Sequence, residues 1–200
     1  VRSVSWSPNG QYLAFGGGGN MKTAVYSFNS NTEELNFTFS RIYDDHDFAD
    51  GFSVYGVDWS PSGNYLAACG WVDSDHCDNI CVYKFENDEL NTLTYAPFPA
   101  PDLGYTSTYV RSVRWSPSEN YLAAGGQTKG KIAVYSFDST ATSLLLQDSV
   151  SLSQDDYAVF SIDWFPNGEY LATAGNNSLY VYSWNGTSLT EKYRDDNLTT

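Results

Sequence analysis

The chain has few positive charges. Its 200 residues hold 10 Lys and Arg against 24 Asp and Glu, for a net charge of −14 and a pI near 4.2. A nucleic-acid-binding protein needs clustered Lys and Arg to neutralise phosphate, and here they are scattered, so nucleic acid is excluded as a partner. Anionic membrane surfaces are disfavoured for the same reason. A basic protein or a cation is electrostatically admissible, and acidity by itself also keeps a protein soluble.

Residues that carry chemistry are scarce as well. There are two histidines, His46 and His76, both in polar stretches, and no G-x-S-x-G turn to present a nucleophile beside them. Gly16–Gly19 is not followed by the GK[ST] of a phosphate loop. No C-x₂-C pair exists to seed a zinc site around Cys69, His76, Cys77 and Cys81. The segment Asp73-Ser-Asp-His-Cys-Asp78 lacks the glycine and closing glutamate of a calcium loop. The expectation is a protein without enzymatic activity, cofactor or bound metal. No run of ~18 apolar residues could form a membrane helix, and no signal-peptide pattern opens the chain. It starts directly in a strand, as a segment of a longer chain or a mature product does. The reading is a soluble protein of unknown compartment. Four Asn-x-Ser/Thr sequons, at Asn36, Asn176, Asn185 and Asn197, barely exceed the roughly three that chance supplies, so they do not establish secretion.

What the chain does have is a repeat. Val110-Arg-Ser-Val-Arg-Trp-Ser-Pro-Ser-Glu-Asn-Tyr-Leu-Ala-Ala124 recurs from Val1, Val54 and Val159. The tryptophans Trp6, Trp59, Trp115 and Trp164 are spaced by 53, 56 and 49 residues, a period that marks a repeat architecture. Each copy opens as a strand, with one face carrying a β-branched residue and an indole: Val4 and Trp6, Val57 and Trp59, Val113 and Trp115, Ile162 and Trp164. The middle of the opposite face is small (Ser3, Gly56, Ser112, Ser161), as a strand near a crowded axis requires. A Pro-Asn-Gly-type reverse turn follows. Glu119 takes the glycine position in the third copy, which predicts strain or another turn type. Tyr12, Tyr65, Tyr121 and Tyr170 open a return strand. A third strand carries Tyr26, Tyr83, Tyr135 and Tyr182, and a weaker fourth closes each unit near Glu34–Ser40, Glu89–Tyr95, Ser143–Val150 and Ser188–Tyr193.

Each unit is thus four antiparallel strands in about 50 residues, too little to bury both of its faces. Radial stacking buries each sheet between neighbours and predicts an all-β propeller of four blades, about 1–47, 48–103, 104–155 and 156–200. The pattern V-x-x-V-x-W-S-P-x-G-x-Y-L-A followed by V-Y-S-F resembles the repeats of WD40 and WD40-like propellers. The resemblance covers essentially the whole chain. Tyr-Ser or Tyr-Lys replaces the Trp-Asp that closes the third strand of that family, at Tyr26, Tyr83, Tyr135 and Tyr182. The Gly-His pair is absent, and the turn aspartate is Asn9, Ser62, Ser118 or Asn167. The family's buried Asp-His-Ser/Thr-Trp network therefore gives way to aromatic packing. The resemblance implies seven or eight blades, so four belong to a longer propeller or close by self-association. It also implies a non-enzymatic scaffold for protein partners, with a structural self-assembling protein as the alternative.

Loops from fourth to first strands and from second to third strands leave one rim of such a fold. They gather Asp44, Asp45, Asp47, Asp50, Asp102, Asp155, Asp156, Asp195 and Asp196, with Asp73, Asp75 and Asp78, which is 12 of the 24 acidic residues. That makes an acidic face for a basic partner, although turns also favour Asp for backbone reasons. Trp71, expected exposed in the long loop of the second copy, and the linker Ala96–Pro101 are further candidates, as partner anchors or as packing on a neighbouring blade. All three cysteines lie in the second copy. Alignment sets Cys69 opposite Cys81 across a hairpin centred on Asp75, with Cys77 in its loop. One disulfide within the trio, or buried free thiols, are both open readings.

Overall fold

The structure is a computed structural model that describes residues 1–18, 22–42, 53–72, 79–99, 108–127, 130–152 and 158–196. All regular structure in it is antiparallel β. Blade 1 comprises β1 (Ser3–Trp6), β2 (Tyr12–Gly16), β3 (Lys22–Asn29) and β4 (Glu34–Ile42). Blade 2 comprises β5 (Ser53–Trp59), β6 (Tyr65–Val72), β7 (Ile80–Glu86) and β8 (Glu89–Ala96). Blade 3 comprises β9 (Thr108–Trp115), β10 (Tyr121–Gly126), β11 (Lys131–Asp138) and β12 (Ser143–Ser151). Blade 4 comprises β13 (Ser161–Trp164), β14 (Tyr170–Ala174), β15 (Leu179–Trp184) and β16 (Leu189–Asp195). Strands pair in chain order within each blade, and the first strands of successive blades lie side by side.

The reverse turn has one construction throughout. Gly10, Gly63 and Gly168 sit at φ 68°, 75° and 77°, where glycine carries no steric penalty, and Glu119 adopts φ 63°. The third turn thus keeps the type of the others and holds a non-glycine residue in the left-handed region. The Glu119 carboxylate accepts the Ser62 N–H of blade 2 at 2.8 Å, which offsets part of that cost. The hydroxyls of Ser7, Ser60 and Ser116 accept the N–H of Tyr12, Tyr65 and Tyr121. In blade 4 Phe165 replaces the serine and packs edge-on against Tyr170. The family's turn aspartate is replaced locally. Asn9, Ser62, Ser118 and Asn167 each accept the N–H two residues on.

Three junctions between blades repeat one plan. The small polar face of each first strand accepts N–H groups from the first strand of the next blade. Ser3 and Ser5 receive Val57 and Trp59 (3.2 Å each), Asp58 receives Trp115 (2.8 Å), and Ser112 receives Ile162 (3.3 Å). Gly56 is tightly enclosed, because a Cβ there would lie 2.9 Å from the Cys69 Sγ and 3.2 Å from the Arg111 carbonyl oxygen. Valines seat over small residues at the end of the second strand. A Cβ on Gly16 would fall 2.4 Å from Val54, and one on Gly125 2.4 Å from Val159. Cys69 holds this position in blade 2, in one core with Val110 and Val113. An aromatic cluster completes each junction. Tyr12 meets Trp59 and Phe85, and Tyr65 meets Trp115 and Phe137, while Tyr121 meets Trp184, which packs on Trp164. Packing of this kind takes the place of a hydrogen-bonded tryptophan network, since the indole N–H groups of Trp59, Trp115 and Trp184 are buried with no partner.

Two expectations are corrected. Cys69 and Cys81 do not face each other. Cys69 pairs with Ile80 and Cys81 with Ala68, and this one-residue offset sends the two thiols to opposite faces of the blade. Cys81 lies in the core with blade 1 and Cys69 in the core with blade 3; both are buried thiols outside any disulfide. Cys77 lies outside the described residues. Blades 2 and 3 are also not separate sheets, because β6 extends to Val72 and pairs with β9 through Trp71–Tyr109 and Val72–Thr108. Trp71 is therefore half-buried rather than exposed, stacked on Tyr109 at 5.8 Å and 18°.

Candidate interaction surface

The first strands bring a second set of side chains together where they begin. In β5 and β9 a bulge interrupts pairing. Val54 and Gly56 oppose Gly70 and Cys69, and Val110 and Ser112 oppose Gly126 and Gly125, which leaves Tyr55 and Arg111 outside the ladder. A bulge of this kind re-aims a side chain. The matching residues of blades 1 and 4 are Arg2 and Phe160, each tied through its N–H to the end of the second strand of its own blade. The result is a ladder that alternates cation and ring across the four blades. The Arg2 guanidinium lies 4.5 Å from the Tyr55 ring centre, and that of Arg111 lies 5.6 Å from Tyr55 and 5.2 Å from Phe160. Each such contact supplies roughly 0.5–1 kcal/mol at an exposed site. Arg111 also donates to the Gln127 side chain, and its Nε is buried without a partner. Tyr109 packs beside Tyr55 at 6.2 Å and carries Trp71 on its other side.

One step further along the first strands lies a polar set: Ser5 with the charged Asp58, Arg114 and Asp163. The Asp58 side chain is 18% exposed and 3.8 Å from the Arg114 guanidinium. Burial pushes its carboxyl up to about 6, against the lowering effect of the Trp115 N–H and of Arg114, with nearby Asp163 adding to the rise.

Of the residues singled out from sequence, Asp44, Asp45, Asp47, Asp50, Asp73, Asp75, Asp102, Asp155 and Asp156 lie outside the described residues, as do Asp78 and both histidines. Asp195 ends β16 rather than sitting in a loop, and Asp196 follows it in an ion pair with Arg194. The linker after β8 is partly inward: Phe98 is buried, and the Tyr135 hydroxyl donates to the Pro97 carbonyl at 2.7 Å. Trp59, Trp115 and Trp164 are buried, as are Tyr83, Tyr135 and Tyr182. Trp6 is 50% exposed and Tyr26 half-buried, because among the described residues no second blade packs on that face of blade 1. The sequence reading missed the Arg2–Tyr55–Arg111–Phe160 set. The signal was present at the second position of each copy, where cation and aromatic alternate. On the opposite rim an open cleft of about 620 Å³ lies between the turns of blades 1 and 2, lined in part by Tyr12, Phe85 and Asp88. Its lining holds no Lys, Arg, His or Cys.

The four-fold repeat, its turn and its radial junctions define a β-propeller. The sequence pattern of the WD40 family (WD domain, G-beta repeat) matches residues 1–23, 37–83, 101–136 and 148–183, and the chain belongs to that family. No match to a curated protein is found. Among solved structures the chain is similar to a protein from Lactobacillus plantarum (19% identity, TM-score 0.69, 92% of this chain and 54% of that one). It is also similar to Sqt1 of Saccharomyces cerevisiae (14%, TM-score 0.67, 98% and 48%) and to the periplasmic gluconolactonase of Pseudomonas aeruginosa (14%, TM-score 0.59, 98% and 70%). The chain spans about half the length of the first and second of these. No helix among the described residues is long and apolar enough to cross a membrane.

Proposed function

We propose that this chain is a non-enzymatic scaffold that binds protein partners at the rim where its first strands begin. The observation that carries the reading is the Arg2–Tyr55–Arg111–Phe160 ladder at the inner mouth, because arginine and aromatic side chains dominate the energetics of protein interfaces. The acidic loops assigned to the same rim, Asp44–Asp50 and Asp73–Asp78 with Asp102, Asp155 and Asp156, surround that mouth in this reading. In a chain whose net charge is −14, these loops steer basic partners toward it. Membership of the WD40 family is consistent with such a role, and a Chaetomium thermophilum Sqt1 of similar fold is seen bound to the N-terminus of a ribosomal protein, L10 (20% identity, TM-score 0.60, 90% of this chain and 44% of that one). The likeness to a gluconolactonase rests on fold alone at 14% identity.

The test is affinity capture with the intact chain and with chains shortened at 44–50 or at 73–78. Partners should be lost on loop removal and also on Arg111→Glu. Partners kept by all three variants would remove the rim from consideration. Hydrolysis of a lactone by the purified chain would overturn the non-enzymatic reading.

A further inference from the structure

We propose that the open cleft between blades 1 and 2, on the rim opposite the mouth, is a second binding site that takes an arginine side chain from an extended segment of a protein partner. It goes beyond the reading given for the mouth and shares no residue with it. The cleft, about 620 Å³, lies at an internal junction and arises from two departures from the repeat. The first is Gly63. Its counterpart Glu119 bridges the turns of blades 2 and 3 by accepting the Ser62 N–H. Gly63 sends no side chain toward blade 1, and a Cβ there would already lie 3.5 Å from the Pro8 ring. The second departure is the turn between β7 and β8. It has two residues, Asn87 and Asp88, where the other three blades have four between third and fourth strands. Both adopt left-handed φ values, 53° and 62°, as a tight I′ hairpin demands. In blade 4 the longer turn brings Gly186 against the Tyr121 hydroxyl. In blade 2 the shorter turn meets the Tyr12 hydroxyl with a carboxylate, and Asp88 accepts its hydrogen bond.

The lining selects a side chain with an apolar stem and a cationic head. Tyr12 and Phe85, packed edge to face at 4.8 Å and half-buried, offer ring surface to methylene groups and to a planar guanidinium. Glu86 and Asp88 stand exposed beside them, and no Lys, Arg or His lines the cleft to neutralise them. Glu86 already pairs with Lys84, whereas Asp88 forms no ion pair among the described residues, so Asp88 carries the recognition. A guanidinium fork meets a carboxylate with paired hydrogen bonds, which an ammonium cannot match. No cluster of three metal-ligating side chains occurs among the described residues, so the donor set suits an organic cation rather than a metal ion. Because the cleft is open, a small cation alone would stay largely in water, while a polypeptide segment adds contacts along both turns. The net charge of −14 favours the approach of such a segment.

The test is a titration of the isotope-labelled chain, followed by amide NMR, with a short capped glycine–serine peptide that carries arginine. The control is the same peptide with citrulline, which keeps the shape and removes the charge. The arginine peptide should shift the amide signals of Ser62, Gly63, Asn64, Asn87 and Asp88, and the citrulline peptide should not. Asp88→Asn keeps an oxygen for the Tyr12 hydroxyl and suits a left-handed position; it should weaken binding by about fivefold or more. Gly63→Gln reaches across the cleft as Glu119 does at the next junction, and should abolish the selective shifts. Glu191→Gln removes the same charge from an exposed position on β16 and should leave the affinity unchanged. Equal weakening by Asp88→Asn and Glu191→Gln would overturn the proposal in favour of attraction by net charge alone. Equal binding of the citrulline peptide would overturn the cationic recognition. Shifts at the same amides with maltotriose, and none with the arginine peptide, would assign the cleft to carbohydrate instead.

Discussion

Asp58→Asn isolates the electrostatics at the centre of the fold. The carboxylate is 18% exposed, and it accepts the Trp115 N–H across the junction of blades 2 and 3. Burial raises its folded value from 3.8 to about 6. A raised carboxyl stabilises the folded chain when protonated. The benefit is fully present below the unfolded value and is lost as pH rises through about 6. At about pH 7.5 the ionised group costs on the order of 3 kcal/mol relative to full protonation, and between about pH 5 and pH 7.5 the cost grows by about 1.4 kcal/mol. Asparagine keeps an oxygen for the Trp115 N–H, removes the charge, and gives up a 3.8 Å ion pair with Arg114 and the charge on the hydrogen bond from Ser5. Urea unfolding followed by tryptophan fluorescence should show the variant at least as stable as wild type near pH 7.5. Its advantage should shrink by about 1.4 kcal/mol toward pH 5. A variant that is less stable at both pH values by the same margin would refute the reasoning, and would mean that the ionised Asp58–Arg114 pair sustains the junction.

Other perturbations separate covered from uncovered faces. Trp115→Ala removes a ring that is 5% exposed and should cost about 3–5 kcal/mol in unfolding free energy, whereas Trp6→Ala at a ring 50% exposed should cost below about 1 kcal/mol. Equal losses would mean that blade 1 is covered within one chain. Gly125→Val forces atoms into Val159 and Ile162 and should lower stability by about 1–3 kcal/mol, while Ala174→Val on the open face should be tolerated within about 0.5 kcal/mol. Burial raises the Cys69 thiol well above its ordinary range, and Cys81 is equally enclosed. A thiol reagent should therefore leave both unmodified in native buffer and modify both in denaturant, as read by mass after proteolysis. A Cys69–Cys81 crosslink in that digest would contradict their opposite placement.

Much of this architecture was legible because each unit states it again. The alternation of Val4 and Trp6 with small residues, and the turn glycines at Gly10, Gly63 and Gly168, specify strand, turn and strand by local rules. Glu119 left the type of the third turn open between strain and another turn, and the structure keeps the siblings' type with Glu119 at φ 63°. Features that depend on neighbours in space were harder to read. Cys69 and Cys81 were misplaced because a slip of one residue in register reverses a face, and counting loop residues cannot fix register to one. Trp71 looked like a loop residue, and it joined a strand because β6 runs on to meet β9 of the next blade. The exposure of Trp6 is invisible in its own motif, which is the motif that buries Trp59 and Trp115. What sets it apart is that no described blade packs on its face. The ladder at the mouth could have been found, since the residues after Val1, Val54, Val110 and Val159 read Arg, Tyr, Arg, Phe. The acidic loops lie outside the described residues, so that part of the surface rests on sequence.

The radial order of the blades is tested most directly by amide hydrogen exchange, residue by residue, in wild type and in Ser5→Ala. The N–H groups of Val57, Trp59, Trp115 and Ile162 bond to side chains of the preceding blade. They should be protected in wild type, and Ser5→Ala should speed exchange at Trp59 while leaving Trp115 and Ile162 slow. Fast exchange at Trp59 and Trp115 in the wild-type protein would contradict first strands stacked side by side around one axis.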